Sequence, residues 1–422
     1  MNRTCACSLS SATALGVLFL LGISQPVSAQ TLPTGFDVLA LKPVVIAGKI
    51  EDSQAHYLNS RGEVAGWVNQ SAGTVLKWVA NDNPANPFPL FTLPKLTSVP
   101  VINVSPVIWT QGSAKVLTRY GGNTGTWPFG FAGDDTLVVI LAPQSGKTDA
   151  RYGVGSAAYI GPPASRRSAT LRSGQYTMLP DAFNDGHPTA FNATGSFLGD
   201  KFFSSETGYG TVLLKAGKLT DIPVPAGQWY NRVKAVNNAG VALMNGGAYA
   251  SPNQLCHLWK DGQTTPVSAP SLPDLGVKPS AACLALNSLG DVAGVLRWDL
   301  STPTQTKFAM AVFRWRQGNL EMSPVETWPR AEFWDQAYID DSGRVVFTKD
   351  GFEDAGMGGS APAVFTNGAP VLLRKLLGAA TSAAPYLATG YIRLLDVNAA
   401  GQILVSDGSK NGVVSPVVLT PR

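Results

Sequence analysis

Six segments of this chain share one order of apolar and polar positions: an apolar residue, Asn or Asp, two variable residues, Gly, then a short apolar run. They read LNSRGEVAG from Leu58, FNATGSFLG from Phe191, VNNAGVALM from Val236, LNSLGDVAG from Leu286, IDDSGRVVF from Ile339 and VNAAGQILV from Val397. The apolar residue ends one strand, Asn or Asp opens a turn, and Gly supplies a positive φ at little steric cost. The turn pairs are Asn59/Gly62, Asn192/Gly195, Asn237/Gly240, Asn287/Gly290, Asp340/Gly343 and Asn398/Gly401. The short apolar runs after each Gly, such as Val64 and Ala65 or Val345 and Val346, predict a return strand. Each copy is a hairpin.

A second half-motif follows in most units: an aromatic residue or Leu at the end of an apolar strand, two residues, then Gly. It occurs at Trp109/Gly112, Leu171/Gly174, Leu214/Gly217, Trp259/Gly262, Trp315/Gly318 and Phe365/Gly368. Two hairpins make a four-stranded antiparallel unit. From Asn192 onward the turns are spaced by 45, 50, 53 and 58 residues, close to the roughly 40–50 residues of propeller blades. The pattern therefore predicts an all-β chain, a β-propeller of four-stranded antiparallel blades. Between Asn59 and Asn192 the gap is 133 residues. There FAGDDTLVVI from Phe131 looks like an eroded copy, and PVIWTQGSAKVL from Pro106 an outer hairpin without a clear partner. Seven blades are expected, with six or eight left open.

FDVLALKPVVIAGKI, from Phe36 to Ile50, is strand-like and precedes the first clear repeat. It is expected to pair into the last blade and close the ring, the alternative being an extra edge strand on the first. Residues 1–29 carry Arg3, an apolar run from Ala12 to Gly22 and Val27-Ser28-Ala29 before Gln30, the layout of a secretory signal peptide. The apolar run is shorter than the roughly 20 residues of a spanning helix, and no later stretch of the sequence is long and apolar enough. The expected organisation is a leader over 1–29 and one propeller domain over 30–422, secreted or periplasmic and monomeric.

Charged residues are only 14% of the chain, while Gly (44) and Pro (30) are plentiful, as suits short strands and tight turns. A net charge of +4 is too small and too dispersed for a nucleic-acid binder; the densest basic cluster is Arg166, Arg167 and Arg172. Two cysteines follow the leader, Cys256 and Cys283, and an even number in an exported chain favours a bridge between adjacent units. Two buried free thiols are the alternative.

The turn pattern resembles the HAF-type extracellular repeats of exported bacterial proteins. LNSRGEVAG from Leu58 with LKW from Leu76, and LNSLGDVAG from Leu286 with AVFRWRQG from Ala311, carry the resemblance, which spans most of residues 55–421. It implies export and a propeller-like fold, and brings no established catalytic residues.

Candidate chemistry is sparse. His56, His187 and His257 fall beside different repeats without metal-ligand spacing, and read as hairpin or surface residues. No nucleophile elbow or P-loop is present, so no catalytic residue, metal or cofactor is assigned. A hydrolase or lyase would draw on loop carboxylates at the channel: Asp134, Asp135, Glu332, Asp335, Asp340 and Asp341. Nothing in their spacing selects a pair. Trp78, Trp109, Trp259 and Trp315 recur at one repeat position and are expected between blades. Trp67, Trp127, Trp229, Trp298, Trp328 and Trp334 are off that register; Trp229 and Trp334 are the candidates for stacking on a ligand. The expected role is a binding or scaffold module for a glycan or an envelope protein, with the carbohydrate-active enzyme as alternative.

Overall fold

The computed structural model describes residues 31–79, 95–121, 124–143, 167–183, 187–204, 208–225, 228, 230–246, 254–328, 336–349, 361–378, 382, 384–389, 391–408 and 415–422. Seven four-stranded antiparallel sheets follow one another as the blades of a propeller. The first comprises Asp52–Leu58, Val64–Val79, Lys95–Thr110 and Ser113–Val116; the second Thr124–Phe131, Thr136–Pro143, Arg167–Arg172 and Gln175–Met178. The third comprises Ala190–Phe191, Ser196–Ser204, Gly208–Lys215 and Lys218–Ile222; the fourth Asn231–Val236, Ala242–Gly246, Gln254–Lys260 and Gln263–Ser268. The fifth comprises Ser280–Leu286, Val292–Asp299, Phe308–Arg316 and Asn319–Met322, with Glu326–Trp328 also pairing onto its third strand. The sixth comprises Ala337–Ile339, Val345–Lys349, Ala361–Phe365 and Val371–Leu372. The seventh is built from both ends of the chain: Ile392–Val397, Ile403–Asp407, Val417–Pro421 and, as its outer strand, Phe36–Ala40.

Two sequence expectations change in detail. The closing strand is Phe36–Ala40 alone, paired from Phe36↔Pro421 to Ala40↔Val417; Val45–Ile46 and Lys49–Ile50 fold into a separate two-stranded ribbon. In the first blade the outer hairpin is the one at Trp109 and Gly112, not LKW at Leu76. Trp78 lies where the second and third strands run on to 16 residues each, pairing with Leu96. The partnerless hairpin from Pro106 thus belongs to the first blade, and the eroded copy at Phe131 opens the second.

The apolar core is divided into slabs between blades. Trp109 packs with Val418 and Leu404 across the seventh–first boundary, and Trp259 with Leu198 across the third–fourth. Similar clusters fill the other boundaries, so every blade buries both faces against neighbours. Trp109 and Trp315 also donate their indole N–H to carbonyls of the segment leaving the preceding blade, Lys42 O at 2.9 Å and Ser268 O at 3.1 Å. A Trp at this position thereby fills the slab and satisfies a connection. The disulfide Cys256–Cys283, with Cα atoms 6.3 Å apart, joins the third strand of the fourth blade to the first strand of the fifth.

Turn chemistry explains the repeat. In five blades the outer hairpin turns on a non-Gly/Gly pair with both φ positive, such as Asp261 (47°) and Gly262 (86°), the backbone of a type I′ turn whose twist matches the strands. At the inner turns Gly62, Gly195, Gly240, Gly290, Gly343 and Gly401 all have φ between 76° and 89°. Each donates its N–H to the carbonyl three residues earlier, as Gly240 does to Asn237 O at 3.0 Å and Gly401 to Asn398 O at 2.9 Å. A Cβ at Gly195, Gly240 or Gly290 would meet nothing within 4 Å, so conformation alone demands Gly there. At Gly62 and Gly401 a Cβ would also press on the side chains of Gln402 and Arg344.

The inner turn uses Asn differently. Asn237 Oδ1 accepts the N–H groups of Ala239 and Val241, while its Nδ2 donates to Asn287 O in the next blade at 3.1 Å. Asn192 donates to Asn237 O, Asn287 to Asp340 O, Asn398 to Asn59 O and Asn59 to Asp134 O. These links form a belt around one end of the ring. Asn is needed because one side chain must accept within its own turn and donate to the next. At Asp340 the donor is missing: Arg344 pairs with its carboxylate at 2.6 Å, and the N–H of Asp341 donates to Ala399 O instead. Ala132 takes the Asn position of the second blade, keeping the turn bond to Thr136 O but contributing no side-chain link.

Candidate functional site at the open end of the channel

The two ends of the ring differ. At the belt end the inner turns are uniform, four or five residues each. At the other end the connections between second and third strands run from three residues (205–207) to 23 (144–166). The connection from sixth to seventh blade there also holds two short helices, Leu373–Leu377 and Tyr386–Thr389. Length variation confined to one end of a rigid scaffold is where binding residues are ordinarily placed.

The carboxylates considered for catalysis are mostly engaged at the belt end. Asp134 accepts from Ser60 N and Oγ, Asp135 pairs with Arg172, Asp340 with Arg344, and Asp341 accepts from Ser288 N. They are turn residues, away from the mouth. The same end holds Gly62, Gly195, Gly240, Gly290, Gly343 and Gly401 with their Asn or Asp partners. None of these turn positions therefore belongs to the candidate site; they shape the belt. Glu332 and Asp335 lie outside the described residues, as do Trp229 and Trp334. Of the other off-register tryptophans, Trp67, Trp127 and Trp298 are buried, at 6%, 4% and 0% exposure, so none offers a face to a ligand. The side chain of Trp328 is outside the described set.

The inner strands line the channel, and their open positions are found by counting back from each turn. Five of them carry a register shift three residues before the turn position, at His56, Phe129, Lys234, Leu284 and Leu395. Such a bulge twists the strand and re-aims its side chains. In the fourth blade exposure alternates: Arg232 and Lys234 are exposed while Asn231 and Val233 are buried. Thr189, at the corresponding position of the third blade, is exposed; Phe129, His187, His56 and Arg393 are half-buried. Phe129 lies 4.5 Å from the His187 ring, and His56 stacks on Trp67 at 4.3 Å with planes 4° apart. Arg232 Nε is 3.3 Å from Asp200.

His56 and His257 both lie in hairpin strands, His56 half-buried and His257 fully buried. Burial, reinforced by Arg393, lowers the His56 pKa to about 4, and burial alone does the same for His257. Both are neutral at ordinary pH. Asp396 moves the other way: burial lifts its pKa to about 7, although the N–H groups of Leu58 (2.7 Å) and Val397 oppose the rise. The residue as a whole is half-buried, and its carboxylate accepts from both of these backbone N–H groups. Burial, then the Asp396 charge, raises the Tyr57 phenol. Asp396 thus serves as a link from the seventh inner strand to the first.

Among the described residues no group of three His, Cys, Asp or Glu side chains is placed to hold a metal ion, and no helix is long and apolar enough to cross a membrane. A cleft of about 140 Å³ lined by Arg167, Ser168, Met178, Leu179, Pro180 and Asp181 sits on the outer half of the second blade. It falls below the roughly 300 Å³ at which small-molecule sites begin.

No protein-family model matches the chain, and no curated protein does. Solved structures similar to it include the β-propeller domain of the Trilobed protease from Pyrococcus furiosus, at 8% identity and a TM-score of 0.34, covering 75% of this chain and 94% of that one. TolB from Acinetobacter baumannii aligns at 11% identity and a TM-score of 0.28, covering 78% of each chain. The GH74 xyloglucanase from Xanthomonas campestris aligns at 11% identity and a TM-score of 0.17, covering 90% of this chain and 68% of that one.

Proposed function

We propose that this chain is an exported, non-catalytic binding or scaffold propeller that presents the loop-bearing end of its ring to a glycan or an envelope protein. The observation that carries the proposal is the asymmetry of the ends: a hydrogen-bonded belt of short turns on one side, every long connection on the other. Export rests on the leader-like residues 1–29, with processing after Ala29, and on the resemblance to HAF-type repeats. The disulfide is compatible with an oxidising compartment. An enzymatic role draws no support from the belt-end carboxylates, each of which already holds a turn or an ion pair.

A glycan array read alongside a reducing-sugar release assay tests the proposal. Binding without release is the expected result. Sugar release that disappears on substitution of a single Asp or Glu would show a hydrolase or lyase instead. N-terminal sequencing of the processed chain, expected to begin at Gln30, tests the export half.

A further inference from the structure

We propose that the channel wall formed by the second, third and fourth blades binds an acidic saccharide, its sugar ring against Phe129 and His187 and its carboxylate at Arg232 and Lys234. The inference rests on the binding role above and names its ligand class. The inner strands of the second and fourth blades, and the residues just before the inner strand Ala190–Phe191 of the third, supply the parts in order round the ring. The second blade offers the half-buried ring of Phe129, placed by the bulge between Pro128 and Gly130. The third offers His187, 4.5 Å from that ring, and the exposed hydroxyl of Thr189. The fourth offers two cations two residues apart on one face of its strand, Arg232 and Lys234, both exposed.

The chemistry of the parts selects the ligand. An aromatic face packs on the C–H face of a pyranose and a hydroxyl bonds its ring substituents, while cations beside them favour a carboxylate over a neutral sugar. Asp200, paired to Arg232 through Nε at 3.3 Å, is a positioning residue that orients the guanidinium. Lys234 makes no ion pair or hydrogen bond among the described residues, so it supplies uncompensated positive charge. The fifth blade continues the wall with Ala281, Ala282 and Leu284, which set an apolar limit to the cationic patch.

Isothermal titration of the full-length protein with trigalacturonate and with the neutral cellotriose tests the assignment, at low and high salt. The acidic trimer should bind at least tenfold more tightly than the neutral one, and more weakly as salt rises. Lys234→Gln and Arg232→Gln should each weaken it about tenfold, and the thermal midpoint should be unchanged in Lys234→Gln, whose side chain is exposed and holds no ion pair among the described residues. Lys218→Gln, on the outer strand of the third blade, should stay within twofold of wild type. Equal affinity for both trimers, or wild-type affinity in Lys234→Gln, overturns the acidic assignment and leaves the binding role standing. Binding of polyglutamate in place of the saccharide, sensitive to the same substitutions, overturns the saccharide class alone. Cleavage of either trimer overturns the non-catalytic reading itself.

Discussion

Asn237 does two jobs with one amide, and substitutions of similar size separate them. Asn237→Ala removes the acceptor for two backbone N–H groups and the donor to Asn287 O, so a loss of about 2–3 kcal/mol in urea denaturation is expected. Asn237→Asp keeps the acceptor but turns a carboxylate toward the carbonyls of Asn287 and Ser288. Its deficit relative to wild type should be largest at neutral pH and shrink below about pH 4, where a protonated carboxyl can donate again. Buried titratable groups give the wild type its own pH profile. His56 and His257 bind protons less readily folded than unfolded, so their contribution is complete above pH 6.5 and lost as pH falls toward 4. Asp396, raised from 3.8 to about 7, has the opposite sign: stability is lost as pH rises through that interval. Asp396→Asn should therefore gain on wild type between pH 4 and 7 and hold a constant advantage above it, read from denaturation midpoints across a pH series.

At the scale of elements, the strand pairs were legible wherever turn chemistry is strict. Gly at a positive φ and Asn with its double role have few substitutes, so the hairpins at Asn192, Asn237, Asn287, Asp340 and Asn398 stand out in the sequence. The second blade was obscured because Ala132 keeps the backbone turn without the side chain that marks it. The first was obscured because its long second and third strands place Trp78 where a repeat residue was expected. The channel lining was harder still. Phe129, Thr189, Arg232, Lys234 and Arg393 belong to no motif; only counting back from the turn position, once the inner strands are known, picks them out. The disulfide was legible from cysteine parity and placement. It closes a separation of 27 residues, so Cys256→Ala with Cys283→Ala should cost about 3–4 kcal/mol in denaturant unfolding. Both cysteines are fully buried and joined, so thiol labelling in denaturant should stay silent without a reductant and report two thiols once the bridge is reduced.

For the whole molecule, the decisive element is the short outer strand Phe36–Ala40. Phe36 is 1% exposed and packs with Leu394, Val405 and Leu419 of the seventh blade and Leu373 of the adjoining helix. Phe36→Ala should cost about 3–5 kcal/mol, and deletion of residues 31–40 should lower the melting temperature further by leaving that blade with three strands. A near-native midpoint after deletion would mean the ring is held by the belt and slabs alone. The fold is thus carried by contacts between neighbours in sequence, with one exception where the beginning and end of the chain meet.

That exception fixes the order of events when the protein is made. Phe36 is among the first of the described residues to be synthesised, yet its partner strand does not exist until Val417–Pro421 has been added. Until then the leading segment has nowhere native to go, and the circle is a horseshoe with two raw edges. The clasp is withheld until the strand Val417–Pro421 has been made to receive it.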